Sequence, residues 1–149
     1  MKSIAPQNQF GRMAALLCMT WIPLCSGKAL CEEPLTPQQK RGKYLVHNVA
    51  MCIYCHTPKD ADGNLLERQL LAGAPFPLNS PYPSQVWGFQ PANLRSLPER
   101  WGEEEFIRFL QTRKNPNGYV PRPPMPPFRM TREDAQAIAA YLNTLPPLD

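Results

Sequence analysis

Apolar positions recur at helical spacing in three stretches of this chain, and prolines and glycines punctuate most of what lies between them. The first stretch opens at Thr36-Pro37-Gln38-Gln39. Thr36 suits the N-cap, Pro37 the first helical position, and Gln39 completes a capping box. This helix is predicted to run through Gly42, Tyr44, Leu45 and Val49 as far as His56, ending before Pro58. The second spans about Gly102 to Thr112, with Phe106, Phe109 and Leu110 on one face and Glu103, Glu104 and Glu105 at the positive end of its dipole. Thr131 caps the third, and Met130 is placed to staple onto Ala135. Ala135, Ile138, Leu142 and Leu145 then repeat until Pro146-Pro147 stops the run. No period-two alternation is present, so the fold class is all-α.

The segments between these helices are unusual. Residues 57–100 show no periodicity, yet interleave Phe76, Tyr82, Trp87 and Phe89 with Pro58, Gly73, Pro75, Pro77, Pro81, Pro83, Pro91 and Pro98. So long an irregular stretch is either disordered or wrapped around something apolar, and its aromatic content favours wrapping. Pro121-Arg122-Pro123-Pro124-Met125-Pro126-Pro127 is a stiff extended loop with one thioether in its middle. A proline-rich recognition segment for a partner domain is the other reading of that loop. Gly42 costs its helix about 1 kcal/mol relative to alanine. Either another element approaches closely there or the position is simply exposed.

Composition matters chiefly at the N-terminus. Lys2 and Arg12 precede a short apolar run from Met13 to Cys25, followed by Ser26-Gly27-Lys28-Ala29. That is secretory leader architecture, so residues 1–29 are expected to be a signal peptide cleaved after Ala29, with 30–149 as one domain. The run falls short of the ~18 residues of a membrane span, although an uncleaved anchor is the alternative. Lipid attachment at Cys25 or Cys31 is disfavoured by the bulky Leu24 and Leu30 before them. Three of the 16 basic residues (Lys2, Arg12, Lys28) fall in the leader, leaving 13 against 12 acids, a net +1. The full-length charge of +4 therefore gives no reason to expect nucleic-acid binding.

Candidate chemistry concentrates at Cys52-Ile53-Tyr54-Cys55-His56. C-x-x-C-H is the attachment signature of c-type haem: each thiol adds across one vinyl group and the histidine binds iron. On a helix the three side chains stand at i, i+3 and i+4, so they leave one face together. A redox dithiol would need a βαβ context, and a zinc site a second Cys/His pair. The only other histidine is His47, and outside the leader the only other cysteine is Cys31. A haem also accounts for the aromatic loops. For the second axial position His47 and Met51 project on the same side as His56, and Met130 is better used as a staple. Met125, 69 residues after His56 in the stiff loop, is the best candidate. A neutral thioether opposite histidine raises the reduction potential relative to bis-histidine ligation, and two filled axial positions favour electron transfer over oxygen chemistry.

With Gly42-Lys43-Tyr44-Leu45 at one end and Tyr141-Leu142-Asn143-Thr144-Leu145-Pro146 at the other, the sequence resembles a class I, mono-haem cytochrome c domain. The resemblance implies three to four helices and long loops around one covalent haem held by Cys52 and Cys55, with His56 and Met125 as axial ligands. It also implies that Gly42 is a close-crossing glycine with Tyr141 packed over it. Leu71-Ala72-Gly73-Ala74-Pro75-Phe76, Asn93-Leu94, Trp101 with Phe106, and Met125-Pro126 are similar to cytochrome subunits of periplasmic alcohol and aldehyde dehydrogenases. Arg95 to Arg100 is shorter than the loop those relatives carry after the Asn-Leu step. The expectation is a periplasmic one-electron carrier or small dehydrogenase subunit, not itself an enzyme. The alternative is a haem sensor or enzyme in which Met125 is displaced. Arg113, Lys114, Arg122, Arg129 and Arg132 are expected to rim the haem face and meet an acidic redox partner, unless they pair with propionates or with Glu103 to Glu105.

Overall fold

The computed structural model describes residues 33–75, 78–95 and 97–148; the expected leader, Cys31 and Phe76 lie outside them. Five α-helices appear among the described residues: α1 (Pro37–Tyr44), α2 (Cys52–His56), α3 (Leu97–Trp101), α4 (Glu103–Thr112) and α5 (Arg132–Leu142). They contain no strand, only an isolated bridge between Lys59 and Leu65.

Helix α1 starts as its sequence dictates, with Thr36 Oγ1 accepting from the Gln39 N–H and Gln39 Oε1 accepting from the Thr36 N–H. It does not continue unbroken to His56. Leu45–Val49 widens into a π-helical turn, Met51 adopts a left-handed φ of 54°, and α2 begins afresh at Cys52. A π turn and a left-handed residue together rotate the next helix, so the two cysteines are aimed by the break and not by the face of α1. Helix α3 also departs from expectation, occupying the end of a segment without periodicity. Five residues with Pro98 in the first turn are too short to show a period.

The core forms where α1 and the π turn cross α5. Leu45 and Val46 bury against Ala135, Ala137, Ile138, Ala139, Tyr141 and Leu142, with Phe106, Ile107, Phe109 and Leu110 of α4 completing it. Gly42 is the pivot: a Cβ built there would lie 1.9 Å from the Ala137 carbonyl oxygen and 2.8 Å from the Tyr141 Cβ. The close-approach reading of this glycine is the correct one. Arg41 reaches Asp134 of α5 at 3.0 Å across the same crossing, and Tyr141 Oη lies 2.8 Å from His47 Nε2.

Candidate haem site

Two irregular loops build the wall behind His56. The His56 carbonyl accepts from the Gly73 N–H at 2.8 Å, and the Leu71 carbonyl accepts from the Leu94 N–H at 2.9 Å, joining residues 71–73 to 91–94. Gly73, at φ 81°, permits this: a Cβ would stand 2.8 Å from the Pro91 oxygen and the Asn93 nitrogen. Buried Arg95 fastens the loops to the chain end, donating to Pro146 O at 2.6 Å and Leu70 O at 3.2 Å. The Ala92 carbonyl lies 2.7 Å from His56 Nδ1. A carbonyl can only accept, so Nδ1 carries the proton and Nε2 keeps its lone pair for a metal. Burial holds the His56 pKa below its ordinary 6.5, against the raising effect of the Ala92 carbonyl, and keeps the ring neutral.

His56 opens onto a cavity of about 290 Å³. Cys52, Cys55 and Met125 line the same space, with Val46, Leu94, Leu97, Trp101, Phe106, Phe109, Ile138 and Leu142 among its apolar walls. The structure thus brings all four candidate residues to one cavity, although His56 and Met125 are 69 positions apart. His47 and Met130 do not line it. His47 faces Tyr141, and Met130 packs on the core with its N–H donating to Leu110 O. Met51 does reach the cavity, but next to Cys52, on the wall that carries the thiols.

The residues present suit a haem. Burial pushes the Cys52 thiol up to about 11 and raises Cys55 as well, the reverse of the depressed pKa of a redox dithiol. Among the described residues no three His, Cys, Asp or Glu side chains gather as an ion site, whereas zinc takes four ligands. Two buried donors, Trp87 Nε1 and Arg113 Nε, lack an acceptor among the described residues. Both belong to segments bonded to the Met125 loop, Gly88 N–H to Pro123 O and Arg113 Nη2 to Pro121 O and Met125 O. A flat apolar ring would fill the apolar walls of the cavity itself.

The sequence model of the cytochrome c family matches residues 39–146. The chain belongs to the cytochrome c family. Its domain is of the kind that binds haem c covalently and carries electrons. Over 135 residues it is 28% identical to a "Diheme cytochrome c-type" protein of Cereibacter sphaeroides, covering 87% of this chain and 43% of that one. Over 123 residues it is 31% identical to "Alcohol dehydrogenase (quinone), cytochrome c subunit" of Gluconacetobacter polyoxogenes and of Komagataeibacter europaeus, covering 75% of this chain and 25% of theirs. The chain therefore spans less than half the length of these relatives. No helix among the described residues is long and apolar enough to cross a membrane.

The basic rim differs from expectation. Arg132 is paired with Glu104, its Nη2 lying 2.6 and 2.7 Å from the two carboxylate oxygens, and Arg113 turns inward to carbonyls. Lys114, Arg122 and Arg129 form no salt bridge among the described residues, and Arg122 lines the cavity. Sequence reasoning also missed Ala92. Ala92 acts through its backbone oxygen, so no side-chain signal existed. Arg113, read from the sequence as a rim charge, takes its place through the carbonyls of Pro121 and Met125.

Proposed function

We propose that this cytochrome c is a one-electron carrier, or a small electron-transfer subunit of a dehydrogenase, holding one haem ligated by His56 and Met125. The observation that carries this reading is the single apolar cavity shared by two thiols, a neutral imidazole with a free Nε2, and one thioether from a separate loop. Bound haem supplies the chemistry, its iron exchanging one electron between ferric and ferrous states. Cys52 and Cys55 would hold the ring as its two covalent tethers. Ala92 orients His56, the α4 and α5 side chains exclude water, and the loop around Met125 supplies a soft, neutral ligand that favours the ferrous state.

Residues 1–29 read as a leader and 30–149 as the domain, a reading that favours the periplasm, where C-x-x-C-H thiols can be joined to haem. Similarity to dehydrogenase cytochrome subunits supports a redox protein as partner. Lys114, Arg122 and Arg129 give the Met125 side a positive rim for an acidic docking face, so encounter should be steered and salt-sensitive. The test is the spectrum of protein expressed with a haem maturation system. Low-spin six-coordinate bands in both states, pyridine haemochrome giving one haem per chain, and no carbon monoxide binding by the reduced form are expected. Rapid carbon monoxide binding at neutral pH would favour a sensor, and absence of covalent haem would end the reading.

A further inference from the structure

The loop that carries Met125 cannot hold itself. Five of the seven residues from Pro121 to Pro127 are prolines and offer no backbone donor, so its carbonyls must be satisfied from outside. Of its two backbone N–H groups, those of Arg122 and Met125, the Met125 N–H lies 3.3 Å from Arg122 O. Gly88 N–H supplies Pro123 O at 2.6 Å. Two more, Pro121 O and Met125 O, are both taken by one nitrogen, Arg113 Nη2, at 2.8 Å each. A single guanidinium thus closes the turn at both of its ends, on the residue proposed as ligand and on the one four positions before it.

The backbone under Arg113 shows that this is not an ordinary helix end. Arg113 is the C-cap of α4, with φ 65° and ψ 7°, and its N–H donates to Phe109 O. Left-handed backbone disfavours any residue with a Cβ, and glycine is the usual occupant. Here an arginine takes the position, and from it the side chain doubles back to the Met125 loop.

We propose that Arg113 is a positioning residue for axial ligation, holding Met125 on the iron by fastening its loop to the end of α4. The proposal rests on the Met125 ligation reading above. Two charge-assisted hydrogen bonds on one proline-stiffened turn favour the closed loop over a loop swung away from the metal. An added ligand that displaces methionine binds only the swung-away form, so its apparent affinity measures that population.

The experiment is titration of the ferric holoprotein with imidazole, read together with the weak far-red band of methionine–ferric bonding. Three variants are compared with wild type: Arg113→Gly, Arg113→Lys and Met125→Ala. A purely structural cap predicts that Arg113→Gly is neutral or beneficial, since glycine relaxes the left-handed backbone. The proposal predicts the opposite: a weakened far-red band and imidazole binding about ten- to hundredfold tighter, with Arg113→Lys in between because an ammonium can reach the carbonyls less well. Arg113→Gly with wild-type imidazole affinity and band, while Met125→Ala has lost the band, would overturn the role of Arg113 and leave Met125 ligation standing. Retention of the band by Met125→Ala would instead overturn the ligation and the proposal together. If Arg113→Gly does not accumulate with haem, Arg113→Lys carries the same decision: tighter imidazole binding supports the proposal, and wild-type binding rejects it.

Discussion

Gly42→Ala is the most demanding test of the helix crossing. The new methyl carbon would lie 1.9 Å from Ala137 O, 2.6 Å from Ala137 C and 2.8 Å from Tyr141 Cβ. Ordinary contact begins at 3.4 Å, so along the worst pair α1 and α5 must separate by the difference, 1.5 Å. The obstacle is a backbone carbonyl, so no trimmed neighbouring side chain can relieve it. Overpacking of this kind costs about 1–3 kcal/mol. Separation also thins the packing of Leu45 and Val46 on Ile138 and Leu142, where a gap of ~1 Å forfeits about half the dispersion gain. It further stretches the 2.8 Å His47–Tyr141 hydrogen bond, which contributes about 1 kcal/mol. Higher helix propensity returns about 1 kcal/mol. The expected net loss is about 3 kcal/mol, among the large values for a single substitution. Guanidinium denaturation of the holoprotein, followed by far-ultraviolet circular dichroism and the Soret band, should show the midpoint falling by about 1 M at unchanged slope. A midpoint within ~0.3 M of wild type, or above it, would refute the crossing geometry.

Other outcomes follow from the site. Met125→Ala should keep covalent haem but lose the far-red band and lower the reduction potential, whereas Met130→Ala should keep both and mainly destabilise α5 by about 2 kcal/mol; loss of the band only in the Met130 variant would reverse the assignment. Cys52→Ser with Cys55→Ser should leave a chain of low helix content, since the cavity they border forms much of the core; native-like circular dichroism of that apo-protein would contradict this. His47 has its pKa lowered from 6.5, first by burial and then by Lys43. Its contribution to stability is therefore complete above 6.5 and is lost as pH falls from 6.5 toward the depressed folded value. Denaturation midpoints should rise as pH climbs toward about 6.5 and level off above it, and His47→Gln should flatten that rise; an unchanged slope would exclude His47 as its source. Arg122→Glu with Arg129→Glu should slow reduction by the physiological donor several-fold at low salt and less at high salt; equal rates at low salt with an intact spectrum would remove this rim from docking.

What the chain determined alone was local and patterned. Capping by Thr36 and Thr131, the apolar face of α4 and the C-x-x-C-H turn each depend on residues within a few positions of one another, and such interactions leave a visible period or spacing; the last helix, expected to run to Leu145, ends at Leu142. Haem chemistry was legible for the same reason. Tertiary structure decided what depends on distance along the chain or on the backbone. The break at Met51 comes from a π turn and a left-handed residue with no glycine to mark it. Helix α3 is too short to show a period. Of five basic residues, Arg132 took the alternative of pairing within Glu103 to Glu105, at Glu104, whereas Arg113 went to carbonyls, acceptors that a charge seen in sequence does not reveal. The tautomer of His56 rests on a backbone oxygen 36 residues away, an acceptor that every residue possesses and no side chain announces.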